Sequence, residues 1–167
     1  MRLVVFGADV LVERGVAEVE WRAVEHDPAI PSPSEPVSGD LAAMLDREVS
    51  EVRGLVLPRE RFPIARPPVH PNSGGAVSAF AAASSSEADA LRARLFAALW
   101  FEGRDIGEPA VVGALGGESG LTGGDRVSRW REEWLGLDRR LVPMLLLPGG
   151  HVSRGLGALT RLAELAT

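Results

Sequence analysis

Apolar positions recur with helical spacing in several stretches of the chain. Leu41, Leu45, Val49 and Val52 share one side of a turn repeat while Asp46, Arg47, Glu48 and Glu51 take the other, predicting an amphipathic helix that stops near Gly54. Asn72 is placed to cap a helix running through Val77 and Phe80 to about Ala83. Ser84-Ser85-Ser86-Glu87 then has the pattern of a capping box, in which serine and glutamate satisfy each other's backbone donors. Behind it, Leu91, Leu95, Ala98 and Leu99 form one stripe, with Phe96 and Trp100 on a second, before Gly103. A helix apolar on two sides belongs inside a bundle. Val127, Trp130, Trp134 and Leu137 line a further helical face, and Leu156, Leu159, Leu162 and Ala166 line a C-terminal one.

Strand patterns are shorter. Leu3–Phe6 is a compact apolar run, and Ala17–Val24 alternates apolar with polar as a half-buried strand does. Leu141–Leu147 is a dense apolar strand carrying Pro143, followed by a Pro148-Gly149-Gly150 turn and a short strand around His151–Ser153. Between Asp27 and Ser38 four prolines deny donors to a helix or ladder and predict an extended connector; Pro58–Pro71 is a second proline-rich passage. Gly113–Gly124 holds six glycines in twelve residues and reads as loop or frayed helix. Strands, then helices, then a hairpin and a helix describe an α/β domain interrupted by a helical insertion, without internal repeats.

Composition narrows the chemistry. The 167 residues fit one domain, the charge of −5 at pH 7 lacks the positive field of a nucleic-acid binder, and no apolar run approaches the roughly 20 residues of a membrane span. The start reads as a mature, cytoplasmic one, with too little hydrophobic length for a signal peptide. All 18 basic residues are arginine; without lysine or tyrosine, Schiff-base chemistry, a P-loop lysine and a tyrosine acid are excluded. The chain contains no cysteine, which removes disulfides, thiolate metal ligands and thiol nucleophiles together.

Individual polar residues give weak signals. His26, His70 and His151 share no metal-ligand spacing, so no metal site is expected. His26 between Glu25 and Asp27 suggests catalysis, but neighbours in an extended segment point apart, and a solvated turn is the preferred reading. The glycine-rich stretch before Arg126 and Arg129 invites a phosphate-cradle reading, yet it lacks a Walker lysine and reads as a linker. Trp100, Trp130 and Trp134 read as core packing rather than an aromatic pocket.

Three segments resemble the DsbA family of thioredoxin-like proteins, in particular its 2-hydroxychromene-2-carboxylate isomerase and FrnE-like branch. Val19-Glu20-Trp21-Arg22 through His26-Asp27-Pro28 is similar to the second strand and the turn out to the helical insertion. Pro71-Asn72-Ser73, with Phe96 through Phe101-Glu102-Gly103-Arg104-Asp105-Ile106, resembles the insertion helices. Leu141-Val142-Pro143-Met144 with Gly149 through Gly155 resembles the strand that starts at a conserved cis-proline, and its hairpin.

The resemblance implies a thioredoxin-like core of residues 1–30 and 137–167, an all-helical insertion over 31–136, and a cis Val142–Pro143 bond facing the former redox centre. Residues 7–16, where relatives carry C-x-x-C or S-x-x-x and a helix of several turns, hold only Gly7-Ala8-Asp9-Val10-Leu11-Val12-Glu13-Arg14-Gly15-Val16, which leaves a truncated turn or a hairpin. The expected function is therefore a cysteine-free pseudo-enzyme: a non-catalytic binding or interaction protein taking a small molecule or peptide between core and insertion, with Val142, Pro143, Met144 and Asn72 as ligand-binding candidates and no catalytic residue. The alternatives are a glutathione-dependent isomerase or transferase, disfavoured because residues 7–16 offer no hydroxyl to hold a thiolate, and a scaffold subunit of an oxidoreductase-related complex. No resident cofactor is expected, with glutathione the one candidate ligand of that kind. The sheet face bared by the missing helix predicts a homodimer.

Overall fold

The computed structural model describes residues 20–25, 27–55, 63–117, 123–139, 142, 144–146, 152–155 and 158. They form a mixed α/β fold of helices and two small antiparallel sheets. In chain order the elements are β1 (Glu35–Pro36), α1 (Gly39–Leu55), β2 (Val69–His70), α2 (Gly74–Ala82), α3 (Ser85–Trp100), α4 (Pro109–Ala114), α5 (Gly124–Leu135), β3 (Met144–Leu146) and β4 (Val152–Arg154). The chain divides into two compact units, one of Met1 and Glu25–Ser128 and the other of Arg2–Val24 and Arg129–Thr167.

The first unit is built on α3. Leu91, Leu95, Ala98 and Leu99 are buried as their spacing predicts, and Trp100 joins them while Phe96 stays half-buried. Full burial of Leu91 and Leu95 contributes about 1.5–3 kcal/mol each. The Phe96 ring meets Trp100 at 6.3 Å and Phe101 edge-on at 5.6 Å, closing the second side of the helix. Gly103, at φ +65°, ends the helix in a conformation that a side chain resists. The Arg104 amide returns to the Ala98 carbonyl at 2.7 Å.

Against α3 lies α2, an alanine-rich segment that forms a helix readily and buries Ala76, Val77, Ala79, Phe80 and Ala81. Its small side chains let other backbone approach closely. A Cβ on Gly123 would stand 2.8 Å from the Ser78 carbonyl oxygen, and one on Gly117 would stand 3.0 Å from the Ala79 Cβ. Arg126, in the first turns of α5, donates to the Ala81 carbonyl at 2.9 Å. Pro109 opens α4 at a position where its missing N–H costs nothing, and α4 packs on α2 through the buried Val112.

Helix α1 matches the expected amphipathic pattern, with Leu45, Val49 and Val52 buried. It is held through its polar side as well: Arg53 Nε donates to the Ile64 carbonyl at 3.0 Å, and Arg66 pairs with Asp46 at 2.9 Å. The two proline-rich passages join each other, because Glu35 and Pro36 pair antiparallel with His70 and Val69, and the Val37 amide donates to the Pro68 carbonyl at 2.9 Å. The connector differs from the extended run its prolines predict: it turns over residues 27–30 and bends at 32–33 before entering a two-residue ladder, and with that ladder the 31–136 segment is not all-helical, because the backbones of the two proline-rich passages meet and pair.

In the second unit β3 and β4 form the expected hairpin, with Met144 opposite Arg154 and Leu146 opposite Val152. Trp130 and Trp134 are buried, in agreement with core packing. Residues 20–24, the described part of the predicted Ala17–Val24 strand, join no ladder among the described residues. The Leu3–Phe6 run, residues 7–16 and most of the C-terminal helix lie outside the described residues, as does Pro143 and with it the Val142–Pro143 bond.

Candidate functional site

Polar groups converge at the start of α2. Asn72 Oδ1 accepts the Gly74 amide at 3.1 Å, and Asn72 Nδ2 donates to the Ile30 carbonyl at 2.6 Å. The predicted cap therefore exists, displaced by one position: Ser73 occupies the capping site without a side-chain cap bond, and Asn72 reaches past it in an Asx-type turn. One carboxamide thus holds both the first helical amide and a peptide carbonyl of the proline-rich connector. Ser73 is 2% exposed, and the Glu25 carboxylate lies close by, with Oε1 3.1 Å from where a Cβ on Gly74 would stand.

A second node adjoins the first. Asp105 Oδ1 accepts the Gly107 amide at 2.8 Å and the Ser34 hydroxyl at 2.9 Å. Gly107 sits beneath both nodes, since a Cβ there would stand 2.7 Å from the Ser34 oxygen and 3.0 Å from the Asn72 carbonyl. Hydrogen bonds to a carboxylate are stronger than neutral ones, so Asp105 is the firmer of the two anchors. Sequence reasoning found Asn72 as a cap and as a ligand candidate; nothing in it pointed to the Ser34–Asp105 pair, which spans 71 positions.

The remaining candidates lie apart in the chain. Val142 is half-buried in a bend and Met144 begins β3, in the unit that does not contain Asn72. Beside them Arg154 donates to Asp138 at 2.8 Å and to the Arg139 carbonyl at 3.0 Å, which secures the hairpin to the end of α5. Arg22 bridges Glu20 and Glu133, and the hydrogen bond it donates to Glu20 leads the causes that raise its pKa above the ordinary guanidinium value. His70 lies opposite Glu35 in the β1–β2 ladder, while His26 and His151 fall outside the described residues. Among the described residues no three His, Asp or Glu side chains converge as a metal site would require, and no helix is long and apolar enough to cross a membrane.

Several arginines serve backbone. Arg53, Arg94, Arg126 and Arg154 each donate to a carbonyl, respectively of Ile64, Leu115, Ala81 and Arg139. Arg126 thereby closes the end of α2. The Ser84–Glu87 box also differs from expectation: the Ser84 hydroxyl donates to Glu87 Oε2 at 2.6 Å, and the two side chains satisfy each other instead of the helix amides.

No family model, curated protein or solved structure matches this chain. One chemical limit stands on the residues alone. Without cysteine the chain has no thiolate to attack a disulfide, so it performs no thiol–disulfide exchange.

Proposed function

We propose that the chain is a non-catalytic binding protein, a cysteine-free member of the DsbA-like, thioredoxin-like group, whose ligand is an extended peptide segment. The observation that carries this reading is the Asn72 carboxamide, which grips at 2.6 Å the Ile30 carbonyl, at the end of the turn that opens the proline-rich connector. A side chain that holds one such carbonyl in cis presents the chemistry to hold another in trans, with the neighbouring Asp105 carboxylate as a further polar anchor once Ser34 has left it. Val142–Met144 would supply a separate backbone edge for an extended ligand.

Titration calorimetry of the full chain tests this reading, using a synthetic peptide of residues 27–36 and, in parallel, reduced glutathione. Saturable peptide binding that Asn72→Ala abolishes is the expected result. Saturable glutathione binding with silence toward the peptide would overturn it in favour of the isomerase or transferase alternative.

A further inference from the structure

We propose that residues 27–34 form a releasable strap, latched at Asn72 and Asp105 and hinged on the β1–β2 ladder, that governs access to the Asn72 carboxamide. The proposal rests on the peptide-binding reading only for what enters when the strap lifts.

The strap has little to hold it besides polar latches. Of residues 27–36 only Ile30 and Ser34 are half-buried and the rest are exposed. Prolines at 28, 31 and 33 remove three backbone donors. Its internal bonds stop at one turn, in which Asp27 Oδ1 accepts the Ala29 amide at 3.0 Å and the Asp27 carbonyl accepts the Ile30 amide at 3.4 Å. What ties it outward is Ile30 to Asn72 at 2.6 Å and Ser34 to Asp105 at 2.9 Å.

Beyond Ser34 the picture changes. Glu35 and Pro36 pair with β2, and Val37 is 8% exposed, so the chain there is fastened by a ladder and by apolar burial. Segments with few apolar contacts open locally far more often than the core they rest on. Lifting the strap breaks two latches, leaves the hinge intact and removes the Ile30 carbonyl from the Asn72 amide. The departing group is a peptide carbonyl, and an extended peptide is the ligand class that replaces it in kind.

The absence of cysteine gives a clean background for measuring this motion. Spin labels are placed on Ala29→Cys in the strap and Ala90→Cys on the exposed side of α3, and the distance distribution between them is recorded without ligand. A short-distance population with a minor longer one is expected. Ser34→Ala, which removes the hydroxyl bonded to Asp105, should raise the ratio of lifted to docked strap on the order of ten-fold. Gly107→Ala, whose added Cβ presses on the Ser34 oxygen, should raise it from the opposite side. A single narrow distribution unmoved by either variant would overturn the proposal and make residues 27–34 a fixed part of the unit. The 27–36 peptide is then titrated separately and should bind Ser34→Ala more tightly than the parent chain by a similar factor. Strap lifting without peptide binding to any variant would overturn the binding reading and leave the strap standing.

Discussion

The Gly107 Cα lies so near Ser34 that a Cβ upon it would stand 2.7 Å from the hydroxyl oxygen, and Asp105 Oδ1 bonds to both residues. This meeting of positions remote in sequence fixes where the proline-rich connector rests on the helical unit.

Gly107→Ala is therefore expected to destabilise the chain by about 1–3 kcal/mol, since the Asn72 backbone carbonyl at 3.0 Å gives way less readily than the serine side chain. Urea denaturation followed by circular dichroism measures the change. A stability equal to that of the parent would show that the loop carrying Gly107 relaxes freely.

Two other glycines make opposite predictions. A Cβ on Gly123 would meet the Ser78 oxygen at 2.8 Å and the Ala82 nitrogen at 2.9 Å, both backbone, so Gly123→Ala should lower stability by roughly 1–3 kcal/mol. Gly113, within α4, has nothing within 4 Å of such a Cβ, and Gly113→Ala should raise stability by about 0.4–1 kcal/mol by restricting the unfolded chain. Thermal melts of the pair decide it; a shift of the same sign in both would refute the packing argument.

Core and surface leucines should separate as sharply. Leu95 is 0% exposed and Leu135 is 52% exposed. Leu95→Ala is expected to cost about 2–5 kcal/mol through the cavity it leaves, and Leu135→Ala about 0.5 kcal/mol or less. Equal losses in urea titrations of the two variants would mean that Leu135 is covered by a partner in solution.

The homodimer proposal is tested by light scattering across a dilution series. Leu135 and Leu146 stand 52% and 51% exposed in the second unit and offer apolar surface for a twofold contact. A mass twice the 17.7 kDa of the chain at micromolar concentration is expected, whereas the single-chain mass throughout would refute the proposal.

Local pattern by itself determined the longer helices. The α1 and α3 faces, the stop at Gly103 and the burial of Trp130 and Trp134 all follow from neighbours within a few turns, where spacing and propensity act directly, whereas the short α4 has too few turns to show a pattern. The β3–β4 hairpin was legible for the same reason, because its turn lies between its strands. The absence of cysteine settled the lack of thiol–disulfide chemistry before any fold was known.

Only the tertiary structure decided what the irregular segments do. The pairing of Glu35–Pro36 with Val69–His70, the Ser34–Asp105 bond and the grip of Asn72 on Ile30 join positions 33 to 71 residues apart, as the register and bond partners show. A strand or a latch exists only when a partner's backbone or side chain arrives, and that arrival depends on how the apolar helices collapse, a long-range outcome that no local periodicity encodes.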